Sequence, residues 1–177
     1  PSAERIKKRL TNKALNYLGR YSSTSFQLET ILRKFVQRKF KQADPALLDQ
    51  LIPEVINNCV RLGYIDDEAF IRSQFRQGIK SGFSKRRILL RLSQRGINRQ
   101  LAVAVMEEQI GRAADEEDSE LAAALIYARK KSVGPYSREG LRPEDNQRHL
   151  ARLARNGFAF DVAKQVMALP SADAADV

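Results

Sequence analysis

Two stretches decide the fold when one is set above the other: Arg87–Met106, RILLRLSQRGINRQLAVAVM, and Arg148–Met167, RHLARLARNGFAFDVAKQVM, 61 positions further on. Eight of the 20 pairs are identical: Arg87/Arg148, Leu89/Leu150, Arg91/Arg152, Leu92/Leu153, Gly96/Gly157, Ala102/Ala163, Val105/Val166 and Met106/Met167. Average residue usage would give roughly one match. In each copy apolar residues recur at helical spacing on both sides of a glycine, so two helices and their joint repeat together. Upstream the offset falls to 52, with Asp66, Glu68 and Phe75 opposite Asp118, Glu120 and Tyr127. The nine extra residues of the later copy fit the loop from Gly134-Pro135-Tyr136 to Arg142-Pro143.

A fainter earlier copy sets Thr24, Leu28 and Leu32 against Ser84, Ile88 and Leu92, followed by an insertion and a helix over Ile52–Leu62. The unit is three helices, and three units make about nine in an all-α, elongated array of tandem repeats. The expected division is 1–65 for the first unit, with its insertion near 37–50, 66–112 for the second and 119–170 for the third. An acidic linker at 113–118 and a tail at 171–177 complete it. Asp115-Glu116-Glu117-Asp118 reads as a solvated linker and helix start, with a metal site or acidic docking patch as the alternative. Gly63, Gly78, Gly82, Gly96, Gly111 and Gly157 follow periodic segments as helix terminators, and Thr24, Asp66, Ser84 and Ser119 read as starts.

The 177 residues suffice for a core without staples, and the single cysteine, Cys59, has no partner for a disulfide within the chain. No window approaches a membrane span, and the charged first ten residues lack the apolar run of a secretory signal. The expected setting is cytoplasmic, away from membranes. Thirty-one Lys and Arg against 21 Asp and Glu leave a net charge of +10, which favours a polyanionic partner. The sign is uneven along the chain: +7 over residues 1–62, +5 over 63–112 and −2 over 113–177.

Catalytic chemistry finds little footing. Cys59 lies on a core stripe with Val55 and Leu62, and the lone histidine, His149, occupies the apolar slot of Ile88. There is no phosphate loop and no zinc-ligand spacing, so neither a cofactor nor a resident metal is expected. Asp66, Asp67 and Glu68 could hold Mg²⁺ for a nuclease, but carboxylates also belong at a helix start. Arg72, Arg76 and Lys80 step by four, as do Arg87, Arg91 and Arg95 after Lys85 and Arg86. Cations four apart repel by a few tenths of a kcal/mol per pair, so two such ridges suggest an anionic partner, phosphate or carboxylate. Tyr64, Phe70, Phe75 and Phe83 read as core or staple residues rather than base-stacking platforms.

The stretch Gly63-Tyr64-Ile65-Asp66-Asp67-Glu68-Ala69-Phe70 resembles the signature of the bacterial RecX family, G-Y-[IL]-D-D-x-x-[FY]. Gly82-Phe83-Ser84-Lys85-Arg86-Arg87-Ile88, then Leu92 and Arg95-Gly96-Ile97, is similar to the segment that follows it in that family. The resemblance is specific over Val60–Met106. It implies three tandem three-helix units and a monomeric, non-enzymatic regulator of the RecA recombinase, which acts in DNA repair, homologous recombination and the SOS response. It also implies binding in the groove of the RecA filament on single-stranded DNA, with suppression of ATP hydrolysis and strand exchange. Binding to duplex DNA would be weak. The rival reading is a tandem trihelical, helix-turn-helix-like protein acting directly on duplex DNA.

Overall fold

The structure, a computed structural model, describes residues 2–112, 116–138 and 142–170, side chains at 112 and 116–118 excepted. The expected acidic linker, the C-terminal tail and the middle of the Gly134–Arg142 loop lie wholly or largely outside the described residues. Among the described residues there are nine α-helices and no strand: α1 Ala3–Leu18, α2 Ser25–Lys39, α3 Pro45–Arg61, α4 Asp67–Ser81, α5 Lys85–Gln94, α6 Arg99–Arg112, α7 Glu116–Lys131, α8 Asn146–Arg155 and α9 Phe160–Ala168. Contacts group them into two units, Pro1–Phe70 with Gln94–Asn98, and Ile71–Ser93 with Arg99–Val177.

In the first unit α3 packs on both α1 and α2. Ile6, Leu10 and Ala14 step by four along α1, and Leu28, Leu32 and Val36 do the same along α2. They meet Leu51, Ile52, Val55, Ile56 and Cys59 of α3 in one core. Each fully buried Leu or Ile contributes about 1.5–3 kcal/mol, so these stripes, rather than propensity, hold the helices. The segment expected as an insertion is mostly helix: α2 runs on to Lys39 and α3 begins at Pro45, where the proline suits the first turn. At the end of α3, Gly63 (φ +76°) adopts the left-handed conformation. Tyr64 N–H donates to Cys59 O at 2.9 Å and Gly63 N–H to Val60 O at 2.9 Å, the paired closure of a Schellman turn.

In the second unit α9 packs on α7 and α8. Ala123, Ala124 and Ala128 of α7 and Ala163 of α9 are fully buried, and their small side chains suit a close approach of the two helices. Tyr127, Val133, Leu153, Phe158 and Val166 complete that core. Two expected terminators, Gly78 and Gly111, are helical and do not take the left-handed conformation. Gly78 lies within α4 and leaves room for Ile88, whose Cγ1 would be 2.6 Å from an added Cβ. Gly111 lies within α6. Likewise Ser119 is inside α7, which begins at Glu116, so it is no N-cap.

The sequence repeat returns as a repeated joint. In the first unit Thr24 Oγ1 accepts from Gln27 N–H at 3.2 Å, capping α2, and donates to Arg95 O at 2.8 Å. In the second, Ser84 Oγ accepts from Arg87 N–H at 3.2 Å, capping α5, and donates to Asn156 O at 2.7 Å. A carboxylate supports each joint: Asp67 Oδ1 accepts from Ser25 N–H at 3.0 Å, and Glu120 Oε2 from Lys85 N–H at 3.2 Å. The glycine of each turn is pressed from outside. A Cβ on Gly96 would come within 2.1 Å of the Phe26 ring, and one on Gly157 within 2.5 Å of Ser84 Oγ. Hydroxyl, carboxylate and glycine thus recur at both places.

Candidate interaction surface

The cations singled out by spacing come from α4 and α5, and the structure sorts them. On α4, Arg76 and Lys80 are exposed, while Arg72 is half-buried with its Nη2 3.8 Å from Glu108 Oε2. On α5, Arg87 and Arg91 are exposed, and both guanidinium groups sit over the ring of Phe83, 4.1 and 5.0 Å from its centroid. Phe83 follows Gly82, whose left-handed φ of +80° ends α4. Phe83 is half-buried, neither core nor staple but a platform for two arginines. Such stacking is worth about 0.5–1 kcal/mol at an exposed site, and it leaves the guanidinium edges available as bidentate donors.

Two members of the expected set depart from the ridge. Arg95 lies beyond Gln94, the last residue of α5, and its carbonyl is the acceptor of Thr24 in the first joint. Lys85 is half-buried, with its backbone N–H given to Glu120, while Arg86 is exposed. The family-signature residues are structural, with one exception. Phe70, Ile88 and Leu92 are buried, Gly63, Gly82 and Gly96 take left-handed conformations, and Asp66 Oδ1 caps α4 by accepting from Ala69 N–H at 2.8 Å. Tyr64, read as a core or staple residue, is 55% exposed, and Tyr21, Phe26 and Phe160 are exposed to a similar degree. The chain therefore does present aromatic faces to solvent, which periodicity alone concealed.

The candidates for chemistry are in structural service. Asp66 and Asp67 carry the N–H groups of Ala69 and Ser25, and among the described residues no group of three or more His, Cys, Asp or Glu stands together as a metal site would. Cys59 is buried, and desolvation raises its thiol pKa, which suppresses the reactive thiolate. His149 is buried and accepts from Gly134 N–H through Nδ1 at 2.8 Å, so its neutral ring carries the proton on Nε2. Desolvation first, then the charge of Arg148, lowers its pKa. It ties the turn Gly134–Tyr136 to α8, a role that its apolar slot in the repeat did not reveal.

The third repeat holds cations that its net charge hid. Arg148 and Arg152 on α8 match Arg87 and Arg91 in the repeat, and Arg155 extends their face by one turn. Lys130 Nζ donates to Ser81 O at 3.1 Å, and the Arg129 guanidinium stands 5.6 Å from the Tyr136 ring centroid. Among the described residues no helix is long and apolar enough to cross a membrane.

No family model matches the chain. It is 35% identical to the regulatory protein RecX of Myxococcus xanthus over 161 residues, 89% of this chain and 83% of that protein. It is 30% identical to the regulatory protein RecX of Agrobacterium fabrum over 166 residues, 94% of this chain and 85% of that protein. The fold is similar to the crystal structure of RecX from Lactobacillus salivarius, with a TM-score of 0.73 at 19% identity over 93% of this chain and 96% of that one. Identity at this level, maintained over more than four fifths of both relatives, places the chain in a family whose members are named as regulators: it belongs to the RecX family.

Proposed function

We propose that the chain is a non-enzymatic modulator of RecA, which binds in the groove of the RecA filament on single-stranded DNA and lowers ATP hydrolysis and strand exchange. The observation that carries this reading is the pair Arg87 and Arg91, exposed and stacked on Phe83, on a chain of the RecX family. Guanidinium groups held on a ring lose less freedom on binding than free ones, and their donor edges suit the carboxylates of a protein groove or the phosphates within it. Arg76 and Lys80 supply further charge on the neighbouring helix.

A bound protein changes a filament only if it prefers one arrangement of its subunits over another. Tenfold suppression needs about 1.4 kcal/mol of that preference. The test is RecA ATPase on single-stranded DNA with substoichiometric amounts of the chain. The expected result is suppression well beyond the molar ratio, with no hydrolysis by the chain alone. Sequence-specific duplex binding with an unaffected RecA would select the tandem helix-turn-helix-like reading instead.

A further inference from the structure

We propose that the groove between the end of α2 and the start of α3 docks an acidic, amphipathic segment of another protein, with one bulky apolar side chain seated against Phe40 and its flanking carboxylates turned to Lys39 and Lys41. The first repeat has the length to build such a site, because α2 has 15 residues where its counterparts α5 and α8 have 10. The added length, the tight turn Phe40–Ala43 and the start of α3 enclose about 520 Å³, within the ~300–1,000 Å³ of ordinary binding pockets. Val36 and Ile52 are buried at its floor, and Phe40, Ala43 and Leu48 form its apolar walls. Those walls are fixed in the free chain. Phe40 N–H donates to Val36 O at 2.8 Å and Ala43 N–H to Phe40 O at 3.0 Å, while Asp44 Oδ1 caps α3 by accepting from Ala46 N–H at 3.0 Å. The Phe40 ring packs edge-on against Phe35 with centroids 6.1 Å apart, and the Arg9 guanidinium lies 5.3 Å from its centroid. A groove already in shape costs a partner little ordering on binding.

Charge selects the chemistry of the occupant. Asp49, the one carboxylate lining the groove, is neutralised by Arg33, which bonds it at 2.9 Å and Glu29 at 2.8 Å. Asp44 spends its carboxylate on the cap of α3. Lys34, Arg38, Lys39 and Lys41 are exposed around the end of α2, and neither Lys39 nor Lys41 has an ion pair among the described residues. An apolar groove with a cationic rim suits carboxylates that flank an apolar anchor: the buried anchor supplies most of the affinity, and the rim charges supply selectivity and rate of encounter. A bare polyanion gains nothing from Val36, Phe40 and Leu48, and an uncharged apolar segment gains nothing from the lysines. The site belongs to the first unit, uses none of the second repeat's cations and does not rest on the RecA reading.

The test uses the full chain without RecA or DNA. Fluorescence anisotropy is measured with labelled, end-blocked heptapeptides whose central residue is phenylalanine, leucine, isoleucine or alanine and whose six flanking residues are all glutamate or all glutamine. The proteins are the parent, Lys39→Glu/Lys41→Glu at the rim, Leu48→Gln in the wall, and the control Lys8→Glu/Arg20→Glu, whose charges are exposed and do not line the groove. Glutamate peptides with a bulky apolar centre should bind saturably and at least tenfold more tightly than both the alanine-centred glutamate peptide and the glutamine peptides. The rim variant should lose at least tenfold, and the control less than threefold. The rim positions are exposed, so their reversal reads the site even if Leu48→Gln disturbs the fold. Absence of saturable binding, equal affinity with an alanine centre, or equal losses in the rim and control variants would overturn the proposal. Concentration-dependent dimerisation in sedimentation that the rim variant changes would assign the groove to a second copy of the chain and overturn it as well. Suppression of RecA ATPase is scored separately, so either reading can fail without the other.

Discussion

Replacing Ser84 by alanine removes two hydrogen bonds with one oxygen. The side chain is fully buried, caps α5 through Arg87 N–H and donates to the carbonyl of Asn156 at 2.7 Å. Loss of a serine cap costs about 1 kcal/mol. A carbonyl left without its donor in a buried joint adds about 1–3 kcal/mol. The sum is about 2–4 kcal/mol, and at about 2–4 °C per kcal/mol for a chain of this size the melting midpoint should fall by about 4–16 °C. Thr24 performs the same two tasks in the first unit, so Ser84→Thr should keep most of what Ser84→Ala loses. Thermal unfolding followed by circular dichroism, with a urea titration as a cross-check, measures both variants. A shift below about 1 °C for Ser84→Ala would mean that the hydroxyl holds nothing, and the account of a repeated, hydrogen-bonded joint would then fail.

Glycine substitutions should separate conformational strain from crowding. Gly63→Ala meets no atom within 4 Å and pays only for its left-handed φ, about 1–2 kcal/mol, whereas Gly157→Ala adds a clash with Ser84 and should destabilise clearly more in the same urea titration. His149 has a lowered pKa, so its neutral form contributes stability above the ordinary value of about 6.5, which is lost as pH falls through the folded value. His149→Gln should flatten that acid-side loss in urea midpoints measured from pH 7.5 to 5. Glu120 has the opposite sign, since desolvation raises its pKa: its stability is present below the ordinary carboxylate value and is lost as pH rises through the folded one. Glu120→Gln keeps an acceptor for Lys85 N–H and should be at least as stable as the parent at pH 7.

Much of the fold was legible because helical proteins advertise themselves locally. The 61-residue repeat named the pairs that the structure buries alike, Leu92 with Leu153 and Val105 with Val166. Thr24, Asp66 and Ser84 were recognisable as caps because each stands three residues before the N–H group it serves. Gly78 misled because a glycine that admits a neighbouring side chain, here Ile88, and one that ends a helix look alike in one dimension. Tyr64 misled through its position beside a buried isoleucine, although the Schellman turn directs it outwards. Phe83 was read as core or staple because periodicity cannot say that two arginines one turn apart will lie on its ring.

The cationic face of α8 was in plain sight as Arg148 and Arg152, matched to Arg87 and Arg91. Averaging the charge over 65 residues cancelled it against the segment's 11 acidic residues. Lys131 belongs to that face, and Arg129 and Lys130 beside it are engaged, so none of the three is idle surface. Reversal at this end of α7 is therefore no neutral control for the second repeat, and α1 supplies a better one.

The central claim, that the cationic face of the second repeat docks on the RecA filament, is tested most directly by charge reversal. Arg76→Glu/Arg87→Glu/Arg91→Glu and the matched Arg5→Glu/Lys8→Glu/Arg20→Glu variant, all at exposed positions, should both keep the circular dichroism and melting of the parent within about 0.5 kcal/mol per exposed site. Suppression of RecA ATPase on single-stranded DNA should then require at least tenfold more of the first variant and little more of the second. Equal potency of the two variants, or an undiminished effect of the first, would contradict the account and return Arg76, Arg87 and Arg91 to ordinary solvated surface.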